Sequence, residues 1–191
     1  LAANYCTADA IVTLTLSPAG GVLTGPGVIA PNQFDPALAG QGNFSIVYTY
    51  TDPATQCEYI ISQLTEVNLT PDSSFGIADA TICSTGKTQI TANDIIIGAT
   101  YDWNFDGGVA FPGTSFGPHE VTWATGGTKT VTLTITNKGC VSPEGTSTID
   151  VVAPLFAPNV ICSAQSTNDV SFSWDPIPGA TAAMCLRKPK M

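Results

Sequence analysis

Cysteine is the residue type in this chain whose chemistry is most constrained by its spacing. Six occur, at Cys6, Cys57, Cys83, Cys140, Cys162 and Cys185. None forms a C-x-x-C pair and only one histidine is present, so the close ligand pairs of a zinc site are missing. Oxidation to disulfides is the remaining chemistry, and it needs an oxidising compartment. Sequential pairing is the economical connectivity: Cys6–Cys57, Cys83–Cys140 and Cys162–Cys185. Each of the first two would close a loop of about 50 to 60 residues, stabilising by up to about 4 kcal/mol in the chain-entropy model.

The other reactive residue types form no catalytic set. His119, in GPHEV, is the one histidine a Ser–His–Asp triad could use, and no G-x-S-x-G elbow accompanies it. It reads as a strand-entry residue. Asp35 and Asp52 are the pair to consider for glycoside hydrolysis, but each directly precedes a proline, which is turn chemistry. Asp102, Asn104 and Asp106 offer the oxygen ligands calcium prefers, yet DWNFDGG lacks the D-x-D-x-D-G spacing. They are weak calcium candidates, and no metal or other cofactor is expected. Trp103 and Trp123 could stack on sugar rings, but both read as core residues.

Any such residues must be positioned by strands. Charged residues make up 11% of the chain, which therefore covers its surface with Thr, Ser and Asn, a β-rich composition. No run has the 3.6-residue apolar spacing of a long helix. Residues 9–16 alternate, with Val12, Leu14 and Leu16 on one face. Residues 17–42 are rich in Gly and Pro and predict turns and short strands, with Phe34 as a core plug. Residues 43–50 alternate again through Phe44, Ile46, Tyr48 and Tyr50, and residues 57–67 predict a long closing strand. In the second half, residues 75–82 predict an opening strand, and Ile95 and Ile97 supply further apolar positions. Residues 100–108 predict a strand running into a tight turn. Residues 129–137 (KTVTLTITN) put Val131, Leu133 and Ile135 inward and threonines outward, and residues 147–152 predict the last strand. These patterns divide the chain into units at 1–69, 70–153 and 154–191. Pro154 and Pro158 mark a stiff linker.

Certain motifs carry resemblances. Tyr5-Cys6, then SPAGG and GPGV, then FDPALAG, YTYTD and a closing Cys57, resemble the Ig-like repeats of large secreted proteins of Bacteroidota. Trp103, Phe105, Asp106 and Gly107, followed by Gly127, Val131, Leu133, Ile135 and Asn137, resemble a PKD domain, itself an Ig-like sandwich. The turn departs from the family's WDFGDG-like form. Residues 160–162 and 170–174 (VSFSW), followed by DPIPGAT, resemble the start of a fibronectin type III-like module. The Asp72-Ser73-Ser74 stretch resembles an O-glycosylation site of Bacteroidota. The resemblances imply an all-β chain of tandem immunoglobulin-like, PKD-like sandwiches with a partial third module.

The net charge of −9 excludes the basic stripe that nucleic acid or anionic lipid requires. No apolar run is long enough to span a bilayer as a helix, so membrane insertion is not expected. The start at Leu1 reads as a mature product that has lost a signal peptide. The expectation is a non-catalytic extracellular or cell-surface structural or adhesive module. Its partners would be other protein chains, including copies of itself in a polymer, and surface glycans. Val170, Phe172 and Trp174 are the candidate residues for strand addition to a neighbour. The alternative is a carbohydrate-binding accessory module of a larger secreted hydrolase.

Overall fold

The computed structural model describes residues 1–154, 160–165 and 170–174. The first unit contains β1 (Asn4–Cys6), β2 (Val12–Thr13), β3 (Val22–Thr24), β4 (Val28–Ile29), β5 (Gln33–Phe34), the short helix α1 (Pro36–Ala39), β6 (Gly42–Thr51) and β7 (Glu58–Asn68). One sheet has the order β1-β7-β6-β3 and the other β2-β5-β4. β1 runs parallel to β7, with Asn4 opposite Glu66, and the other pairs are antiparallel. Tyr5, Ile46 and Val67 from the first sheet close on Phe34 of the second and on Leu14. Phe34 is fully buried, 5.1 Å from the Tyr5 ring.

The second unit contains β8 (Phe75–Ile77), β9 (Thr81–Cys83), β10 (Thr88–Ala92), β11 (Thr100–Asn104), β12 (Val109–Phe111), β13 (His119–Thr122), β14 (Gly127–Asn137), β15 (Cys140–Val141) and β16 (Gly145–Val152). Its sheets have the orders β12-β13-β10-β8 and β11-β14-β16-β9, with β15 on β14. Here too the first strand of the second sheet, β9, is parallel to the last, β16. Ile90 and Val121 from one sheet meet Ile82, Val131, Ile149 and Val151 from the other. β14 alternates as its sequence dictates, with Val131, Leu133 and Ile135 fully buried between threonines.

The two units therefore share one strand order. In each, a short early strand (β1 or β9) lies parallel beside the last strand, followed by the long strand that pairs with it (β6 or β14) and then by β3 or β11, and this sheet faces the other. That is the ABED-on-CFG arrangement of the immunoglobulin sandwich, with the first strand switching sheets. The molecule is all-β with tandem immunoglobulin-like sandwiches. Beyond them, β17 (Val160–Gln165) and β18 (Val170–Trp174) form a separate antiparallel two-stranded sheet.

Several local expectations change. Only Val12–Thr13 of residues 9–16 joins a sheet, because Leu14 is held by a loop hydrogen bond to Asn32 instead. Val12, Leu14 and Leu16 still pack on the core. Residues 75–82 split into β8 and β9, one in each sheet. Ile95 and Ile97 are exposed on a loop, the latter at 95%, rather than in the core. The Tyr101 hydroxyl fixes that loop by donating to the Asp94 carbonyl at 2.9 Å and accepting from Ile96 N–H at 2.7 Å.

Phe34→Ala is expected to cost about 3–5 kcal/mol, the usual range for emptying a fully buried aromatic site. Leu38→Ala, at an exposed position of α1, should stay within about 0.5 kcal/mol. Urea unfolding of the two variants checks the contrast.

Candidate functional site at the joint between the sandwiches

The structure brings together residues that the sequence places far apart. β14 and β15 are joined by Lys138 and Gly139, with φ of 49° and 85°, and Asn137 lies opposite Cys140. Positive φ at both central residues is the type I′ hairpin, which suits the twist of the strands and explains the glycine. This tight turn presents Cys140 to the first unit. Cys140 is bonded to Cys6 at the end of β1, with Cα atoms 5.5 Å apart and 134 residues between them in sequence. The sulfur is buried, 3.8 Å from the Asn68 carbonyl oxygen at the end of β7.

Polar contacts surround this bond. Lys138 Nζ donates to Glu66 Oε1 at 2.9 Å, an ion pair from the second unit to the first. The linker threonine Thr70 is held from both sides. Its N–H donates to Thr7 Oγ1 at 3.0 Å, and its own Oγ1 accepts from Ala8 N–H at 3.1 Å. Further along the linker, Ser73 Oγ donates to the Pro143 carbonyl at 2.5 Å. Asp72 accepts from both the N–H and the hydroxyl of Ser74, and these bonds lower its pKa below the ordinary 3.8. The Ser73 hydroxyl is thus buried and engaged rather than presented for O-glycosylation.

Sequential disulfide pairing is therefore incorrect. Cys6 bonds Cys140, not Cys57, and Cys83 is disulfide-bonded but not to Cys140. Cys57 is an exposed free thiol at the β6–β7 turn. The physical reason is placement: Cys6 and Cys140 both lie at unit ends that abut, whereas Cys57 sits at the far tip of a long hairpin. The partner proposed for Cys162, Cys185, lies outside the described residues.

The remaining candidates have structural duties. His119 is fully buried at the first position of β13, with its ring nitrogens facing the Pro112 and Ser115 carbonyl oxygens. Trp103 and Phe105 pack against its ring at 5.3 and 5.6 Å. Asp35 accepts from Ala37 and Leu38 N–H, and Asp52 accepts from Ala54 and Thr55 N–H. The two Asp-Pro-Ala stretches make the same local cap. Asn104 accepts from Asp106 N–H, and Asp106 in turn accepts from Thr130 N–H at 3.0 Å. Trp123 is buried and donates to the Phe105 carbonyl, and half-buried Trp103 donates to Ser115. Among the described residues, no three His, Cys, Asp or Glu side chains gather as metal ligands. Val170, Phe172 and Trp174 fall on β18.

The staple escaped the sequence reading because nothing in spacing couples Cys6 to Cys140. The available signal was position: Cys140 directly follows the Asn137-Lys138-Gly139 turn, so it belongs to a loop tip and not to a strand facing Cys83.

No family model matches the chain, and no curated protein does. Among solved structures, the chain is similar to murine CEACAM1b, at 15% identity and a TM-score of 0.33, covering 59% of this chain and 58% of that one. It is also similar to the N-terminal four Ig domains of Dscam1 isoform 9.44, at 12% identity and a TM-score of 0.34, covering 79% and 43%. The chain thus spans about half the length of these structures. The Ig-like assignment rests on the strand order given above. No helix among the described residues is long and apolar enough to cross a membrane.

Two outcomes are expected. Non-reducing peptide mapping should recover a crosslinked Cys6–Cys140 peptide, and a maleimide should label Cys57 without prior reduction. Asp72→Asn should cost less than about 1 kcal/mol, because the carboxylate is exposed. The depressed pKa makes that stabilisation present above pH 3.8 and lost as pH falls through the lower folded value. Thermal unfolding of the variant and parent should therefore converge in strong acid.

Proposed function

We propose that the chain is a non-catalytic extracellular structural module, a stiff segment of a surface stalk or adhesin that associates with other chains through its sheet edges. The observation that carries this reading is the Cys6–Cys140 bond at the joint. Interfaces between domains of one chain are ordinarily small enough to permit relative motion. A covalent bond there, beside the Lys138–Glu66 pair and the pinned Thr70, limits bending of one sandwich against the next. Such stiffness serves a spacer under tension and is of little use to a single-site hydrolase. A disulfide of this kind also fits a location outside the reducing cytosol. The buried or engaged state of His119, Asp35, Asp52 and the two tryptophans supports a structural role for each.

Small-angle X-ray scattering tests the reading. The parent chain should give one narrow range of inter-sandwich angles that does not change with salt. The double variant Cys6→Ser, Cys140→Ser should broaden it and lose up to about 5 kcal/mol of stability in the chain-entropy limit. A parent as flexible as the variant would refute the stiff-stalk reading.

A further inference from the structure

β7 is two strands in one. Its C-terminal part is sandwiched: Thr65, Val67 and Asn68 are buried, and β1 pairs with it at residues 66–68. Its N-terminal part, residues 58–64, is exposed throughout, although it pairs with β6 along its whole length on the other side. Among the described residues no strand pairs with its outer edge there. Glu66 N–H donates outward to the Ala3 carbonyl. By the antiparallel alternation, the backbone groups of Glu58, Ile60, Ser62 and Leu64 also point outward.

Both faces of this open stretch carry exposed apolar side chains. Ile60 and Leu64 lie on the outer face, exposed at 63% and 76%, and Tyr59 and Ile61 on the inner face, at 56% and 63%. The inner face is uncovered because the opposing sheet, β2-β5-β4, is only two residues long in each strand. A groove of about 190 Å³ opens beside the edge, lined by Leu1, Leu14, Leu16, Tyr48, Ile61 and Gln63 among others. Natural edge strands are blunted by lysines, prolines or bulges, and residues 58–64 contain none of these. β12 also carries exposed Val109 and Phe111, but it is three residues long and is followed by Pro112.

The chain itself holds the complementary piece. Among the described residues, β17 and β18 form a two-stranded sheet that pairs with neither sandwich. An isolated hairpin is marginal in water and gains from a third strand. The β18 sequence, Val170-Ser171-Phe172-Ser173-Trp174, alternates large apolar and small residues, the pattern that a groove beside a strand edge selects. β1 already shows that this edge accepts a strand, and Gln63 Nε2 reaches along it to the Leu1 carbonyl at 2.8 Å. Residues 58–62 prolong this same edge beyond the stretch that β1 pairs.

We propose that residues 58–64 of β7, with the groove beside them, are the acceptor for β18 of a second copy of this chain, forming a head-to-tail contact by strand addition. The inference rests on the reading of the chain as a self-associating structural module and names the two surfaces that join. The contact is heterologous: each copy offers both a donor and an acceptor, so repetition builds a filament or a ring.

Complementation between two defective chains tests it. Ser62→Pro with Ile60→Lys blocks the edge, the proline removing an outward N–H that the β6 ladder does not use. Phe172→Lys with Trp174→Lys disables the donor, and Phe111→Lys on β12 is the control. Circular dichroism and unfolding of each variant confirm that both sandwiches remain folded. By light scattering, the parent and the control should form oligomers that grow with concentration. The edge and donor variants should each be monomeric alone, and their equimolar mixture should give a dimer. Oligomers that persist in both variants would overturn the proposed surfaces while leaving self-association intact. A parent that stays monomeric at millimolar concentration would also overturn the proposal, and scattering would still show whether it is a stiff rod. If the edge variant does not fold, Ile61→Lys, on the exposed inner face, replaces it.

Discussion

The Cys6–Cys140 bond is the constraint to which the rest of the molecule is fitted. It joins the end of the first strand of one sandwich to a hairpin tip of the next. Because Cys6 leads through residues 7 and 8, where Thr70 is held, the linker cannot swing without straining a covalent link. The type I′ turn at Lys138 and Gly139 serves the same constraint, since it sets both the reach of Cys140 and the position of the Lys138 amine against Glu66. The exposed ion pair adds little energy by itself in water. Its role is orientation, whereas the disulfide limits the separation of the two units even when the surrounding contacts open.

A covalent joint changes what each sandwich must supply for itself. The first has thin facing strands, two residues each in β2, β4 and β5, and a core gathered around Phe34. Such a core is small for independent stability. Its short turns are held by local caps, with Asp35 opening α1 and Asp52 closing on Ala54 and Thr55. The second sandwich carries the larger apolar cluster and the alternating burial of β14 and β16. Tying the weaker sandwich to the stronger one at its terminal strand keeps β1 from fraying off β7. In this way the joint limits relative motion of the two units and protects the sandwich with the thinner core.

Much of the fold was legible because period-two burial leaves an unambiguous trace. Val131, Leu133 and Ile135, the Phe44-to-Tyr50 alternation and the Phe34 plug all read directly from residue type. Short strands were harder. Val12–Thr13 and the split between β8 and β9 depend on which sheet edge is free to accept the chain, and that is set by tertiary contacts, not by propensity. Ile95 and Ile97 misled because hydrophobicity alone says nothing about a loop that Tyr101 ties outward. Disulfide connectivity was the least legible feature, since any cysteine pair is compatible with composition and only the abutment of two unit ends selects Cys6 and Cys140.

The same comparison of the two sandwiches explains why they are not interchangeable. Their strand orders agree, so the last strand, β7 or β16, occupies the same place in each sheet. In the second sandwich the linker runs beside the start of β16: a Cβ added to Gly145 would come within 2.1 Å of the Ser73 carbonyl oxygen. The preceding chain thus passes close over the start of β16, and only glycine permits the approach. In the first sandwich, β7 is longer than β16, and its N-terminal part holds Tyr59, Ile60, Ile61 and Leu64 in solvent. A like topology therefore yields one strand start overlain by the linker and one that is exposed. Exposed apolar strand edges are costly to solubility, and this one combines both faces and the free backbone in a single stretch. In the proposed strand addition, a strand supplied by another molecule would cover this stretch.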